Sequence, residues 1–301
     1  MKIKEIVDYG IEQLKQQNIE DYNIKAKVLL AHIIKQDKSY LTINCNEQLE
    51  PEVIIEYKKG IDDLINGKPL QYITKHQEFM NLNFYVDENV LIPQPDTEIL
   101  VEETIKEINR LLNKSNKREK CTIRILDLCT GSGAIAISIA KYLQENKFEM
   151  IKKESTIDEK LQFEIYASDI SKKALKIAEK NAKLNGVQIK FILSNMFENI
   201  SKHINEKFEI IVSNPPYIRK NEIKNLPKDV QNEPHIALDG GEDGLYFYKI
   251  IAKNLDQFLK KEGTVFLEIG YNQKQEVESL FKDYKVRIIK DLAGNDRVVI
   301  L

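Results

Sequence analysis

The amino-acid sequence predicts an α/β protein: a doubly wound, mostly parallel seven-stranded sheet preceded by a small helical bundle. Three observations predict it. From residue 122 onward, short apolar runs alternate with amphipathic helical stripes, the pattern of strand–helix–strand crossovers. A glycine-rich turn, TGSG at 130–133, directly follows the first of these runs, TIRILDLC. Residues 1 to about 75, by contrast, show helical periodicity alone.

In the first 75 residues, Ile3, Ile6, Val7, Ile11 and Leu14 recur at helical spacing, as do Val28, Leu29, Ala31, Ile33 and Ile34. A third stripe, Val53 to Ile65, is stopped by Gly67 and Pro69. Residues 76–92 switch to period-2 patterns in QEFMNLNFYVDENVLI, read as a strand pair linking the bundle to the sheet, with a turn at Asp87–Asn89. Residues 93–301 form the sheet domain. IPQPDTE opens a helix, with Asp96 and Thr97 as its cap residues. The polar run at 113–120 reads as a solvated loop, and the charged stretch at 146–160 as a surface excursion.

Strands then follow at TIRILDLC, FEIYASDI, IKFILSN, FEIIVSN and GTVFLEIG, and the tail YKVRIIK…DRVVIL supplies an antiparallel edge pair. Helices fall between them: GAIAISIAKYLQ, SKKALKIAEKNAKLN closed by Gly186, and one over about 243–260.

The chain has 301 residues, with Lys+Arg 45 against Asp+Glu 47 and a net charge of −2. That balance argues against a dedicated duplex-DNA binder, and no direct nucleic-acid partner is expected. Three cysteines without a C-x-x-C pair fit a reducing compartment with no disulfide framework. The four histidines show no metal-ligand spacing with them, so no metal is expected. No stretch reaches the roughly 18 apolar residues of a membrane span, and the expected location is cytoplasmic.

The chemistry gathers at strand ends. Gly131 and Gly133 lie where a Cβ would keep a ligand from the backbone. Asp169, at the tip of the second strand, suits the hydroxyls of a ribose. A NAD-binding fold offers the same pair, although its acid is expected about 20 residues on. The spacing from Gly133 to Asp169, with its charged insertion, leans against NAD and leaves the question open.

The fourth strand stops at SNPPYI, residues 213–218. Two prolines cannot continue a strand and donate no N–H, so the tip displays stiff carbonyl acceptors beside the Asn214 amide and the Tyr217 ring. Such an acceptor cluster suits the hydrogens of an –NH2 group.

With those residues in view, the sequence resembles the amino-methyltransferases that use S-adenosylmethionine and carry an (N/D/S)-P-P-(Y/F/W) motif. More narrowly, it resembles the protein-(glutamine-N5) methyltransferases that modify class I peptide chain release factors. The resemblance covers nearly the whole chain and rests on LLAHII, PLQYIT, EFMNLNFYV, LIPQPDTEILVE, DLCTGSGAIAI, SNPPYI, EPHIALDGGEDGL and DLAGNDRVVI. It implies a class I methyltransferase fold and S-adenosylmethionine as cofactor. Cys129, Thr130, Gly131, Ser132 and Gly133 would line the cofactor, Asp169 would take its ribose, and Asn195 and Met196 would lie by its adenine. Asn214, Pro215, Pro216 and Tyr217 would hold the target, with Asn214, Pro215 and Tyr217 catalytic and Asn214 also beside the cofactor.

The implied acceptor is the side-chain amide of the glutamine in the GGQ motif of a release factor, and the helical domain would dock that partner. The chain departs from the family pattern at Gln94, Cys129, Asn195 and Met196; Cys129 reads as a packing residue rather than a nucleophile. The rival readings are a DNA adenine-N6 methyltransferase, which shares GSG, the acid and NPPY, and a non-catalytic nucleotide-binding adaptor.

Overall fold

Buried apolar runs at the predicted positions become strands because both faces of this sheet are covered. In the computed structural model, which describes residues 1–114, 121–153 and 161–301, Ile125 and Ile210 face one core layer. Their neighbours Leu126 and Ile211 face the other. The chain divides into two compact units: Met1–His76 with Leu226–Glu233, and Gln77–Asn225 with Pro234–Leu301.

The first unit holds α1 (Ile3–Gln16), α2 (Tyr22–Ile33), α3 (Lys38–Ile43), α4 (Pro51–Ile65) and α5 (Leu70–Thr74). Ile6 and Leu14 of α1, Leu29 and Leu30 of α2, and Tyr57 and Ile61 of α4 form its core. Gly10 lets the Tyr57 ring lie against α1, and the Tyr57 hydroxyl donates to the Ala26 carbonyl at 3.2 Å. Residues 226–233 belong to this unit although the sequence places them in the sheet domain: Lys25 pairs with Asp229 at 3.5 Å, and Asn232 Nδ2 donates to the Gly67 carbonyl at 2.9 Å.

The second unit opens with a hairpin of β1 (Gln77–Phe79) and β2 (Leu82–Phe84). Its turn is Met80–Asn81, both left-handed at φ 51° and 57°, and not Asp87–Asn89, where a further turn follows. The pair belongs to the second unit, with Phe79 and Phe84 buried in a core layer of the sheet. Next come α6 (Pro95–Lys114), β3 (Cys121–Leu128), α7 (Ala134–Lys153), β4 (Leu161–Asp169), α8 (Lys172–Leu184), β5 (Lys190–Leu193) and β6 (Phe208–Ser213). The chain continues through α9 (Lys228–Gln231, in the first unit), α10 (Tyr246–Phe258), β7 (Leu259–Glu268), α11 (Lys274–Leu280), β8 (Arg287–Lys290) and β9 (Asp296–Ile300).

Helix α6 starts at Pro95, which suits a first helical position, so Asp96 and Thr97 lie in the first turn instead of capping it. Helix α7 runs through 146–153, stretching into the segment expected to be a surface excursion. Residues 115–120 and 154–160, the remainder of the two polar stretches, lie outside the described residues.

Among the described residues, seven strands form one sheet in the order β5-β4-β3-β6-β7-β9-β8. Strands β5, β4, β3, β6 and β7 are parallel, and β9 runs antiparallel to both of its neighbours. From β3 the chain winds one way through β4 and β5, then returns to place β6 on the other side of β3. That reversal opens a crevice beyond the carboxyl ends of β3 and β6. No described helix is long and apolar enough to cross a membrane.

Candidate active site

The register of the sheet sets the site. Ser213 pairs with Leu128 and Leu267, Leu128 with Ser168, and Asp169 with Leu193. The residues just beyond, Glu268, Asn214, Cys129 and Ser194, therefore emerge beside Asp169 along one edge. A cavity of about 280 Å³ lies there, lined among others by Cys129, Gly131, Asp169, Asn195, Met196, Asn214 and Pro216. Its volume is close to the roughly 300–1,000 Å³ of small-molecule sites.

The turn after β3 is built by three residues in the left-handed region, Cys129 (φ 60°), Gly131 (φ 54°) and Gly133 (φ 83°). The two glycines differ in purpose. A Cβ at Gly131 would meet no protein atom within 4 Å, so that backbone is open to the cavity. A Cβ at Gly133 would come 2.8 Å from Ile137 Cδ1 and 3.1 Å from Ala178 Cβ, which makes Gly133 a packing position between α7 and α8.

Thr130 and Ser132 are likewise turned inward. The Thr130 hydroxyl donates to Asp127 Oδ2 at 2.6 Å, and the Ser132 carbonyl accepts from Asn181 Nδ2 at 2.9 Å. Thus Thr130, Ser132 and Gly133 shape the turn from within and do not line the cavity.

Asp169 organises the opposite wall. Its Oδ2 accepts from the Gly131 N–H at 2.9 Å and its Oδ1 from the Ser171 N–H at 2.8 Å. It is not the cap of α8; Ser171 is, accepting from the Ala174 N–H at 3.2 Å. Burial raises the Asp169 carboxyl above its ordinary pKa, while backbone N–H donors from Ser171, Gly131 and Ile170 oppose the shift.

Met196 also takes a left-handed φ of 48°, held by the Ser194 hydroxyl on its carbonyl at 2.7 Å. Its sulfur lies 3.5 Å from Cys129 Sγ. Burial pushes the Cys129 thiol far up, reinforced by Asp169 and Asp127, so it stays a neutral packing group. The Asn195 amide donates to Glu198 Oε1 at 2.8 Å.

At the tip of β6, Pro215 and Pro216 are buried and Asn214 and Tyr217 half-buried. Pro215 and Tyr217 are not among the lining residues of this cavity, although their chain neighbours Asn214 and Pro216 are. Gly240 fits under Tyr217, where an added Cβ would come 2.7 Å from the Tyr217 Cα, and Gln273 Nε2 donates to the Tyr217 carbonyl at 2.9 Å.

Three residues of this geometry were not read as site residues from sequence: Asp127, Glu268 and Thr97, the last taken only for a helix cap. Asp127 is fully buried, and its Oδ1 has no hydrogen-bond partner among the described residues. Burial pushes its carboxyl up to about 7 despite donors from Thr130 and Ala136. Glu268, 2% exposed, accepts from the Thr97 hydroxyl at 2.7 Å and the Tyr217 hydroxyl at 3.4 Å. Burial pushes it to about 7 as well, opposed by the Thr97 donor and the Arg297 charge. A signal for Asp127 was present, an acid one residue before the end of an apolar strand. Thr97 and Glu268 are 171 positions apart and carry none.

A parallel sheet wound about a switch point, with its one reversed strand next to the edge, is the class I methyltransferase fold. S-adenosylmethionine is the methyl donor of that class. A family model for the PrmC N-terminal domain matches residues 5–74, and one for N-6 DNA methylases matches 102–267. A release factor glutamine methyltransferase of Clostridium acetobutylicum is 37% identical, covering 100% of this chain and 98% of its own. One of Thermodesulfovibrio yellowstonii is also 37% identical, over 100% and 96%. Among solved structures, the hMettl16 catalytic domain in complex with an RNA hairpin aligns with a TM-score of 0.52 at 15% identity, covering 78% of this chain and 82% of that one, a likeness of fold. The chain belongs to the release factor glutamine methyltransferase family.

The cavity fits the donor chemically. S-adenosylmethionine carries ribose hydroxyls and a sulfonium, and the cavity lining holds the Asp169 carboxylate; under the turn, the fully buried Asp127 keeps one oxygen with no partner among the described residues. Gly131 leaves the space that close backbone approach requires.

Proposed function

We propose that this protein transfers a methyl group from S-adenosylmethionine to the side-chain amide nitrogen of a glutamine in a peptide chain release factor, the glutamine of its GGQ motif. The observation that carries the reading is the placement of Asn214 and Pro216 in the same cavity wall as Gly131 and Asp169. Acceptors for an –NH2 group and contacts for a nucleoside thereby share one site.

Cys129, Gly131, Asp169, Asn195 and Met196 would hold the cofactor, which when bound supplies a methyl group on a sulfonium. Asn214 Oδ1 and the Pro215 carbonyl would accept the two N–H groups of the target amide, and Tyr217 would back its flat face. The amide lone pair is conjugated with its carbonyl, as the barrier of about 18–20 kcal/mol to C–N rotation shows. Two hydrogen bonds at about 0.5–1.5 kcal/mol net each do not undo that conjugation. Alignment contributes more, roughly 7–11 kcal/mol for well-oriented reactants. The acceptors also stabilise positive charge as it develops on the nitrogen. The target nitrogen, held by Asn214 and Pro215, would take the methyl group as the donor's C–S bond breaks with its electron pair left on sulfur, and the surplus N–H proton would then leave to solvent.

The helical unit would dock the release factor. Its exposed apolar residues Ile24, Ile43 and Ile55 support that role; Ile55→Ser would raise the KM for the protein substrate and leave cofactor binding intact. The match to N-6 DNA methylases over 102–267 favours adenine as a second reading. Labelled S-adenosylmethionine offered to release factor and to DNA, with wild-type protein and Asn214→Ala, separates the two. Transfer to release factor, lost in Asn214→Ala while cofactor binding persists, supports glutamine; transfer to DNA alone refutes it.

A further inference from the structure

An asparagine presents an oxygen and an NH2 group on the two edges of one planar amide, and only the oxygen can accept from a target –NH2. Something must choose the side. At Asn214 the choice is made by a hydrogen-bond chain from outside the cofactor turn. Glu268 Oε2 receives the Thr97 hydroxyl at 2.7 Å, and Thr97 Oγ1 receives Asn214 Nδ2 at 3.1 Å.

A threonine hydroxyl has one proton. Given to the ionised Glu268 carboxylate, it leaves only lone pairs toward Asn214, so Asn214 meets it with NH2 and turns Oδ1 the other way. We infer that Thr97 and Glu268 are positioning residues that set the side-chain amide of Asn214, Oδ1 outward, for the target nitrogen. This rests on the reading of Asn214 as an acceptor for the substrate amide.

The surroundings keep the chain directional. Thr97 is 5% and Glu268 2% exposed, which shields both from competing water. Glu268 has no ion-pair partner among the described salt bridges, while the nearby Arg297 binds Asp96 and Asp291, each at 3.0 Å. A buried carboxylate without a direct cation is costly to retain for stability alone. Thr97 is fixed by the first turn of α6, its N–H donating to the Gln94 carbonyl at 3.1 Å, and Glu268 by the end of β7. The second Glu268 oxygen takes the Tyr217 hydroxyl at 3.4 Å, so the same carboxylate steadies two residues of the NPPY motif.

With the chain broken, Asn214 can present NH2 to the target NH2, donor against donor. A misaligned catalytic group costs on the order of 100-fold in rate. The decisive comparison uses the full-length protein with release factor as substrate. It covers Thr97→Val, Thr97→Ser, Glu268→Gln and Asn214→Ala, and measures kcat, KM, cofactor Kd and Tm. Thr97→Val, which keeps the shape and loses the hydroxyl, is expected to lower kcat roughly 10- to 100-fold, with cofactor Kd and KM unchanged. Thr97→Ser is expected to restore it to within about twofold.

Glu268→Gln can offer Thr97 either an oxygen or an NH2, which ends the directional lock, so kcat falls in the same way. Wild-type kcat in Thr97→Val overturns the inference, and so does an equal loss in Thr97→Ser. Should Thr97→Val not fold, Glu268→Gln decides: lowered kcat with retained cofactor affinity supports the inference, and unchanged kcat overturns it. If Asn214→Ala is itself fully active, the underlying reading fails instead.

Discussion

The Asp169 carboxylate accepts the backbone N–H of Gly131 at 2.9 Å, joining the tip of β4 to the glycine turn that follows β3. The residue that would meet a ribose thus also holds the turn that would meet the rest of the cofactor.

Replacing Asp169 by Ala removes the proposed ribose acceptor and leaves the N–H groups of Gly131 and Ser171 without that carboxylate. Charge-assisted hydrogen bonds contribute about 1.5–3 kcal/mol each. Cofactor affinity, measured by calorimetry, is expected to fall on the order of 10- to 100-fold. An unchanged Kd would remove Asp169 from the site.

The two turn glycines should separate cleanly. Gly131→Ala faces open space, so its stability cost is the left-handed backbone alone, about 1 kcal/mol. Its new methyl group sits at the cavity and weakens cofactor binding. Gly133→Ala drives a Cβ against Ile137 and Ala178, adding overpacking of about 1–3 kcal/mol to the backbone strain. Urea unfolding and cofactor titration of both variants check the contrast.

Asn181 is fully buried and makes three hydrogen bonds: its Oδ1 accepts from the Tyr85 N–H at 2.7 Å, and its Nδ2 donates to the Tyr85 and Ser132 carbonyls at 3.0 and 2.9 Å. Asn181→Ala orphans these backbone groups. Unfolding free energy is expected to drop by about 3 kcal/mol, and a loss below about 0.5 kcal/mol would show the bonds to be dispensable.

Glu268 gives the stability curve a definite sign. Its carboxyl has an ordinary value of 4.5 and stands at about 7 in the fold, chiefly through burial. Below pH 4.5 it is protonated in both states and imposes no penalty. Between pH 4.5 and 7 the unfolded chain ionises first, so native stability falls. A difference of that size corresponds to about 3 kcal/mol, lost by the time pH passes 7. Glu268→Gln cannot ionise, and its stability relative to wild type should rise across that window. Parallel unfolding curves from pH 4.5 to 8 would contradict the assignment.

Much of the sheet was legible because its central strands are buried on both faces and read as short apolar runs such as IIV at 210–212, with glycine or proline soon after β3, β6 and β7. The hairpin turn was not: Met80 and Asn81 adopt left-handed backbone without a glycine to announce it. Thr97 looked like a helix cap because Thr commonly is one, yet its hydroxyl goes to a strand end far along the chain. Gly133 and Gly131 are indistinguishable as letters and differ only in what surrounds them. The excursion of residues 226–233 into the helical unit is likewise a matter of tertiary contact, since a polar loop carries no address.

The most direct test of the central claim incubates the protein with release factor and isotope-labelled S-adenosylmethionine, then maps the label by tandem mass spectrometry. One methyl group on the side-chain amide nitrogen of the GGQ glutamine, absent with Asn214→Ala, is the predicted result. Label on any other atom of the release factor, or only on adenine of added DNA, would contradict it.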